Sequence, residues 1–394
     1  MISKIPVAAT PLSLSDLLSV FGKKRSKSEF AEKLSGRFNR REIIFMSSGL
    51  AAFFVILSAL KGLSDRKEVV LPAYTAPSLV VAVKKAGLKP VLTDISPATF
   101  NMDMELLRGV DPQKTLCVAA VHMFGIPLEI PGKLREDLKD VFIVEDCAQA
   151  FGSMLNGRHV GDMADISFFS FNRGKNLTTY SGGCVAMDRG EVAEAVKDAF
   201  LEKSGAAGEA RMLALKLAAL SVAVRPVFYG PAYALLSKFK ETAPPLDLEV
   251  NSYSDRQASV GLSLLERIDN LSAARYRNGM ALMRELAGVE GIVLPRIPEN
   301  MTPAFNRFPV VFKDLEKKDA VQRKLNSQGI ETSTFYEKPL HLVFDLGYGE
   351  QAFPNASYLA SRLLTLPVHP MLKEPDIARM AAVVRSERGI KGRP

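Results

Sequence analysis

Short apolar segments alternate with helix-forming segments over about the first two-thirds of the chain. The strand-like segments are residues 68–72, 89–94, 116–121, 141–144, 165–171 and 183–187. Because these strands are apolar on both faces, the alternation predicts a mostly parallel sheet that helices cover on both sides. Ligands of such sheets bind beyond the carboxyl ends of the strands, so polar residues at those ends are the first candidates for a functional site.

Two ionisable residues come directly after strand-like segments. Asp146 follows the segment 141–144, and Lys175 lies in a glycine-containing turn after the segment 165–171. A lysine amine can bond to the aldehyde of pyridoxal phosphate, and a buried aspartate can keep the pyridine nitrogen protonated so that the ring accepts electrons. The pair therefore predicts a pyridoxal-phosphate enzyme with Lys175 as its catalytic residue.

The composition excludes several classes of site. The 394 residues carry a formal net charge of +8, and the lysines and arginines are scattered, so no patch for nucleic acid is indicated. The three cysteines lie far apart, and no group of histidine, cysteine and acidic residues has the spacing of metal ligands. Residues 1–6 lack the apolar run of a signal peptide, so the sequence favours a protein of the reducing cytoplasm.

The chain changes character after about residue 250. We expect a large domain over residues 1–250 and a smaller α+β domain over residues 251–394. The smaller domain is predicted from one long amphipathic helix at 262–284 and from the strand and helices that follow it. These later elements are a strand at 308–312 and helices at 317–328 and 374–385.

An apolar helical insertion at about residues 205–245 interrupts this plan. Lys216, Arg225 and two prolines keep its uncharged runs shorter than the roughly 18 residues that a spanning helix needs. Three interpretations are open for this insertion. It is a buried helical hairpin at a dimer interface, a cover over the active site, or a surface at residues 210–240 that lies on a membrane.

The motifs around Asp146 and Lys175 carry more information than the two residues alone. They are VEDCAQAFG at 144–152, GRHVG at 157–161, FSF at 169–171, KNL at 175–177 and GG at 182–183. In this combination the chain resembles the DegT/StrS-type family of sugar aminotransferases. The resemblance implies the α/β architecture of fold-type-I pyridoxal-phosphate enzymes, like aspartate aminotransferase, and a homodimer with active sites at the subunit interface.

The resemblance also implies a reaction. The family mostly moves an amino group from an amino acid, L-glutamate by habit, to a keto-sugar carried on a nucleotide, for surface polysaccharides or secondary metabolites. Some members have histidine in place of the lysine and dehydrate the sugar, so Lys175 favours transamination. The alternatives are amination of a lipid-linked or non-sugar ketone, sugar dehydration, and a regulatory protein without activity.

Cofactor contacts of the family map onto particular positions of this chain. Ser48, Gly49 and Leu50 match a Ser-Gly-Thr motif that binds the phosphate at a helix N-terminus, with leucine in place of the threonine. Ser170 matches a second phosphate-binding residue. The resemblance assigns Asp146 to the pyridine nitrogen.

Three further cofactor contacts rest on weaker matches. Gln149 matches a position near the phenolic oxygen or the face of the ring. The aromatic residue that stacks on the ring in the family is Ala76 here, so Tyr74 is the candidate to replace it. Asn251 is the nearest candidate for an asparagine that reaches the partner subunit's phosphate, although Ser252 breaks the motif around it.

The substrate side of the site is predicted from four residues. Tyr336 and His341 lie in a segment that resembles the family's Tyr-x-x-Pro-Leu-His, and His369 lies in one that resembles Leu-Pro-x-His-Pro. His122 also matches a family position. The resemblance implies that these four side chains line the pocket for the amino acid and the keto-sugar.

Overall fold

The computed structural model describes residues 4–21, 27–205, 212–230 and 248–387. The strands are β1 (Glu42–Met46), β2 (Glu68–Pro72), β3 (Lys89–Thr93), β4 (Thr115–Val121), β5 (Phe142–Asp146), β6 (Met154–Leu155), β7 (Arg158–His159), β8 (Ile166–Ser170), β9 (Gly183–Met187), β10 (Ile292–Val293), β11 (Met301–Thr302), β12 (Phe308–Phe312) and β13 (Leu363–Leu366). The α-helices are α1 (Leu14–Ser19), α2 (Lys27–Phe38), α3 (Gly49–Leu63), α4 (Pro77–Lys85), α5 (Gly132–Asp137), α6 (Glu191–Lys203), α7 (Leu213–Ala223), α8 (Asp255–Leu265), α9 (Ile268–Leu286), α10 (Leu315–Ser327), α11 (Leu340–Val343), α12 (Pro354–Arg362) and α13 (Glu374–Ser386).

Seven strands form the central sheet in the order β1-β9-β8-β5-β4-β2-β3. Strands β8, β5, β4, β2 and β3 pair in parallel, whereas β9 is antiparallel to both of its neighbours. The prediction of a mostly parallel sheet flanked by helices is therefore confirmed. Strand β1 is an addition, since the sequence analysis identifies no strand there.

Helix α3 fixes the position of one end of the site. Its apolar residues are buried on nearly every side, because the helix passes between the sheet and α6. The helix begins at Gly49, where the side chain of Ser48 accepts a hydrogen bond from the backbone N–H of Ala51 at 3.0 Å. This N-terminus faces the end of β8, from which the turn of Lys175 continues.

The last third of the chain builds a second, antiparallel sheet in the order β10-β12-β13. Helices α10, α12 and α13 accompany it, and one continuous apolar core joins it to the central sheet. The division into domains at residue 250 stays a prediction.

The single long helix predicted at 262–284 is wrong, because the structure contains α8 and α9 with a break between them. Residues 266 and 267 form a turn at the break, and Arg267 there has φ −114° and ψ −1°. Its guanidinium forms an ion pair with Asp16 and donates to the carbonyl oxygen of Pro11 at 3.2 Å. These contacts to the N-terminal segment hold the break.

The N-terminal segment connects the second sheet region to the turn of Lys175. The backbone N–H of Ile5 donates to the carbonyl oxygen of Gly329 at 2.7 Å. Five residues later the hydroxyl of Thr10 donates to the carbonyl oxygen of Lys175 at 2.6 Å. The segment thus passes close to Lys175, the predicted catalytic residue.

The described part of the insertion comprises α7 and the residues up to 230. Leu213 and Leu217 are buried against the core, whereas Leu215 is 60% exposed and Val222 is 48% exposed. The hairpin predicted for 205–245 cannot be followed as a whole, since residues 206–211 and 231–247 lie outside the described residues. Within the described part of the chain, no helix has the length and apolar character needed to cross a bilayer.

Candidate active site

The sheet brings Asp146 and the turn of Lys175 to the same edge. Asp146 is the last residue of β5, which pairs in parallel with β8 and places Asp146 opposite Phe168. The chain leaves β8 at Ser170 and turns at Gly174, whose φ of +76° suits a glycine. Both carboxyl ends point to one side of the sheet, as the sequence analysis expects.

The backbone of the lysine turn is held by hydrogen bonds from distant segments. Thr10 donates to the carbonyl oxygen of Lys175, and the side-chain amide of Asn306 donates to the carbonyl oxygen of Gly174 at 2.8 Å. The side-chain amide of Asn176 donates to the carbonyl oxygens of Phe151 and Ala304. A backbone fixed in this way leaves only the side chain of Lys175 to move.

Lys175 is partly buried and its amine is easily deprotonated. Burial, helped by the positive charge of Arg307, lowers the pKa of Lys175 to about 8 although the carboxylate of Asp146 opposes the shift. A lysine with this pKa has a substantial fraction of neutral amine near neutral pH. The neutral amine is the form that attacks an aldehyde.

Asp146 is a buried carboxyl group without a cationic partner in contact with it. It is 5% exposed, and one oxygen accepts a hydrogen bond from the backbone N–H of Ala148 at 2.9 Å. Burial raises its pKa, against the effects of this hydrogen bond and of the charge of Lys175. A protonated pyridine nitrogen would supply the missing charge-assisted donor. The site therefore fits pyridoxal phosphate.

The phosphate-binding residues predicted from the sequence lie together. A Cβ added to Gly49 would lie 2.8 Å from Cβ of Ser170 and 3.2 Å from the carbonyl oxygen of Phe169, so the end of β8 packs directly on the start of α3. Ser170 and Leu50 are both partly exposed beside Ser48 and Gly49. A hydroxyl and the backbone N–H groups at the N-terminus of a helix form a site suited to a phosphate.

Gln149 and Tyr74 lie on two sides of this site. The side-chain oxygen of Gln149 accepts from the backbone N–H of Phe124 at 3.1 Å, and its amide nitrogen contacts the sulfur of Met123 at 3.5 Å. Tyr74 is buried, and its hydroxyl accepts the backbone N–H of Tyr336 at 3.3 Å. The rings of Tyr74 and Tyr336 meet edge to face with centroids 5.7 Å apart. Tyr74 is thus part of the pocket wall that includes Tyr336.

His122 is engaged by protein on both ring nitrogens. The backbone N–H of Leu128 donates to Nδ1 at 2.8 Å, so Nε2 carries the proton and donates to Glu145 at 2.8 Å. Burial favours protonated Glu145, but hydrogen bonds from His122, Gly161 and Met163 outweigh it and lower the pKa of Glu145. His122 therefore has no nitrogen left for a substrate contact.

One group of potential metal ligands appears in the structure although the sequence analysis expects none. Ligand atoms of His122, Glu145 and Cys147 lie within 4.8 Å of one another among the described residues. Both ring nitrogens of His122 are used, and the carboxylate of Glu145 also accepts from two backbone N–H groups. The group is a hydrogen-bonded support beneath the end of β5.

His341 and His369 are buried and donate toward backbone carbonyl groups. Nε2 of His341 lies 3.1 Å from the carbonyl oxygen of Glu350, and Nε2 of His369 lies 3.0 Å from that of Pro6. Burial and the nearby charge of Arg275 lower the pKa of His369 to about 3, so this ring is neutral. The structure brings neither histidine into contact with Asp146 or Lys175.

Asn251 lies next to the start of α3. Its backbone N–H donates to the hydroxyl of Ser47 at 3.1 Å, and its carbonyl oxygen accepts the backbone N–H of Ser47 at 2.9 Å. Its side-chain amide donates to Glu249 at 3.1 Å. The residue is partly exposed, so its side chain lies at the surface near the phosphate-binding residues.

The sequence analysis missed one charged residue of the site, Arg307. It precedes β12, and its guanidinium lies 4.8 Å from the centre of the ring of Phe335. Its positive charge contributes to the lowered pKa of Lys175 and opposes the rise in pKa that burial causes in Tyr74 and Tyr336. The only signal in the sequence is the pair Asn306-Arg307 between aromatic residues, which does not say where the segment packs.

Comparison with known proteins identifies the family of this chain. The model of the DegT/DnrJ/EryC1/StrS aminotransferase family matches residues 13–385. A UDP-N-acetyl-3-dehydro-alpha-D-glucosamine 3-aminotransferase from Acidithiobacillus ferrooxidans is 28% identical over 94% of this chain and 93% of its own length. A dTDP-3-amino-3,4,6-trideoxy-alpha-D-glucose transaminase from Streptomyces venezuelae is 29% identical over 86% of this chain and 81% of its own length.

Solved structures of sugar aminotransferases have a similar fold. The structure of a sugar aminotransferase from Micromonospora echinospora has a TM-score of 0.76 with this protein, at 21% identity, and the match covers 98% of this chain and 100% of that one. At this level of identity the likeness shows the fold. Taken with the family match over residues 13–385, it confirms the predicted architecture, and the chain belongs to the DegT/DnrJ/EryC1/StrS aminotransferase family of pyridoxal-phosphate enzymes.

Proposed function

We propose that this protein transfers an amino group from an amino acid, L-glutamate, to a keto-sugar that is linked to a nucleotide. The observation that carries the proposal is the placement of Lys175 and Asp146 at neighbouring strand ends, with the pKa of Lys175 lowered to about 8. The two relatives above are named for amino sugars on UDP and dTDP. Their names support a nucleotide-linked acceptor in the synthesis of polysaccharides or secondary metabolites.

Each residue of the site has a defined task in this proposal. The bound cofactor supplies an aldehyde that takes up the amino group and a ring that accepts electrons. Lys175 binds that aldehyde through Nζ and afterwards moves a proton at Nζ between the substrate carbon and the cofactor. Asp146 holds the pyridine nitrogen protonated, and its burial strengthens this interaction.

The other predicted site residues are proposed to position the cofactor and the substrates. Ser48, Gly49, Leu50 and Ser170 would bind the phosphate where α3 meets the end of β8. Gln149 has an amide nitrogen whose only contact within the described chain is a sulfur, which leaves it able to donate to the ring oxygen. Their neighbours Tyr74 and Tyr336 are proposed to line the face of the pocket toward the keto-sugar.

A homodimer in the cytoplasm is proposed as the working form. Asn251 lies at the surface beside Ser47, next to the phosphate-binding residues, which suits a contact with a second subunit. The three cysteines are free and buried, as expected for a protein kept in a reducing compartment. Sedimentation of the purified protein tests the dimer directly.

A peripheral membrane contact through residues 210–240 is a further proposal, supported by an exposed apolar surface. Helix α1 exposes Leu14 and Leu18, and the contacting helix α7 exposes Leu215 and Val222. Lys216 on α7 is exposed as well and adds positive charge. Flotation with anionic vesicles should fail for a Leu215→Ser, Val222→Ser double variant. If the variant instead floats normally and dissociates into monomers, this surface is the subunit interface.

The test of the proposed reaction is a screen of nucleotide-linked keto-sugars with L-glutamate. Formation of 2-oxoglutarate with at least one sugar, together with an aminated sugar of the expected mass, supports the proposal. A protein that binds the cofactor and releases 2-oxoglutarate only with non-sugar or lipid-linked ketones contradicts the proposed acceptor. Loss of water from the sugar without glutamate would indicate a dehydratase.

A further inference from the structure

Arg307 lies beside the lysine turn. It directly follows Asn306, whose side-chain amide donates to the carbonyl oxygen of Gly174, the residue before Lys175. The backbone N–H of Asn306 in turn donates to the carbonyl oxygen of Phe124 at 3.0 Å. Two hydrogen bonds therefore fix the start of β12 against the end of the central sheet, and Arg307 is the first charged side chain after them.

Aromatic side chains hold the guanidinium on one side. Its central carbon lies 4.8 Å from the centre of the ring of Phe335, a distance at which a cation is attracted to the ring. The rings of Phe335 and Tyr336 are 4.4 Å apart, and Tyr336 contacts Tyr74. The wall formed by these rings leaves the edge of the guanidinium, where its N–H groups lie, for another partner.

Arg307 differs from the other arginines of similar burial. Five arginines have a buried Nε without a hydrogen-bond partner among the described residues: Arg37, Arg267, Arg275, Arg307 and Arg362. The other four use their terminal nitrogens, since two pair with aspartates, one donates to backbone carbonyl groups and one donates to a serine. Arg307 alone makes no hydrogen bond or ion pair with the described part of the chain.

Glu331, an acidic residue whose charge acts on Arg307, does not supply the missing partner. The charge of Glu331 acts on Arg307, but its carboxylate accepts the backbone N–H of Val7 at 3.0 Å and the hydroxyl of Tyr229 at 2.6 Å. Burial lowers the pKa of Arg307, which expresses the cost of a buried charge without an anion in contact. An anionic group of a ligand would remove that cost.

The two substrates differ in the number of bonds between their anionic group and the reacting carbon. This difference indicates which anion binds Arg307. In an amino acid the carboxylate is bonded to the carbon that carries the reacting amine. When the amine of the donor lies beside Lys175, the carboxylate therefore lies close by, within a few bonds of that amine. In a nucleotide-linked keto-sugar the phosphates are separated from the ketone carbon by several bonds. A planar guanidinium also matches both oxygens of a carboxylate.

We propose that Arg307 binds the α-carboxylate of the amino donor, an inference that rests on the proposed transaminase function. It gives the site a preference for α-amino acids over amines that lack a carboxylate. Arg307 serves the donor half-reaction in both directions, because the keto acid that leaves carries the same carboxylate. The phosphate-binding residues at the start of α3 stay available to the cofactor.

The test compares Arg307→Gln with Arg362→Gln. Arg362 is a matched control because it also lies over an aromatic ring, 4.4 Å from the centre of the ring of Tyr358, and also has a buried Nε without a partner. Calorimetric titration of the holoenzyme with 2-oxoglutarate should show at least about tenfold weaker binding for Arg307→Gln and no change for the control. Arg307→Lys should keep the charge but lose the paired contact, and bind with intermediate affinity.

The kinetic constants identify the source of the anion. Arg307→Gln should raise KM for L-glutamate and leave KM for the keto-sugar within about twofold. Unchanged binding of 2-oxoglutarate overturns the inference, as does a rise in the keto-sugar KM alone, which would assign Arg307 to a phosphate. If the wild-type protein neither binds 2-oxoglutarate nor reacts with glutamate, the proposed function itself is wrong. If the wild type does both and Arg307→Gln behaves like it, only the role of Arg307 is wrong.

Discussion

Asn306 donates a hydrogen bond of 2.8 Å to the carbonyl oxygen of Gly174, although the two residues are 132 positions apart in the sequence. This bond joins the start of β12 to the turn that carries Lys175. It links the placement of Arg307, the residue after Asn306, to the placement of the catalytic lysine. The placement of these two cationic side chains therefore depends on the packing of the second sheet against the first.

Replacement of Asp146 by asparagine should reduce activity and stabilise the cofactor-free protein. Burial raises the pKa of Asp146, so its ionisation destabilises the fold above the folded-state pKa, and this penalty is absent below the pKa of the unfolded chain. Asparagine keeps an acceptor for the backbone N–H of Ala148 and removes the charge. We expect turnover to fall by about 10²-fold and the Tm without cofactor, at neutral pH, to rise by roughly 2 °C. A lower Tm in calorimetry would contradict the assigned burial.

The rate at which the cofactor-free protein takes up cofactor should rise with pH through about 8. The neutral amine of Lys175 is the reactive form, and burial lowers its pKa to about 8, so protonation slows the reaction below that pH. Because the charge of Arg307 contributes to the shift, Arg307→Gln should move the midpoint to higher pH. Stopped-flow absorbance across the pH range measures both. A midpoint near the ordinary lysine value, unchanged in the variant, would exclude this environment for Lys175.

Gly49→Ala should weaken cofactor binding, whereas Gly62→Ala in the same helix should not. The added Cβ at position 49 would lie 2.8 Å from Cβ of Ser170, so the end of β8 would have to move. A Cβ added to Gly62 would have no other atom within 4 Å. Alanine at this position should therefore stabilise the helix by up to about 1 kcal/mol. Equilibrium dialysis of the cofactor and thermal denaturation separate the two effects. Equal cofactor affinity in both variants would mean that the phosphate binds elsewhere.

His122→Leu should cost stability and leave the substrate constants alone. The variant removes the donor of a buried hydrogen bond to Glu145, which we expect to lower the free energy of unfolding by about 2 kcal/mol. Glu145 has a lowered pKa, so its contribution is present above the unfolded-state pKa and is lost as the pH falls through the folded-state value. Urea denaturation measures the loss. A raised KM at unchanged stability would restore the substrate contact suggested by the sequence.

Local sequence patterns predict the part of the site that local structure controls. Asp146 and Lys175 each follow a strand that is apolar on both faces, and parallel strands bring their carboxyl ends to one edge. The same argument fails for β1, which lies at the edge of the sheet and has three half-buried residues. Two arginines precede it, so its sequence resembles that of a surface segment.

The rest of the site depends on contacts between distant segments. The sequence around the predicted substrate-side histidines does not show which protein groups they contact, and only in His122 do protein groups, Leu128 and Glu145, take both ring nitrogens within the described chain. Arg307 shows the converse, since an arginine before an apolar strand looks like a surface residue until Asn306 bonds to the lysine turn. Such residues require the packed structure.

Borohydride reduction of the holoenzyme, followed by peptide mass analysis, tests the central claim most directly. If Lys175 holds the cofactor, the peptide that contains Lys175 gains the mass of the reduced cofactor, and Lys175→Ala abolishes the label and lowers transamination by about 10²–10⁴-fold. Attachment of the cofactor to another lysine, or an active Lys175→Ala variant, would contradict the account.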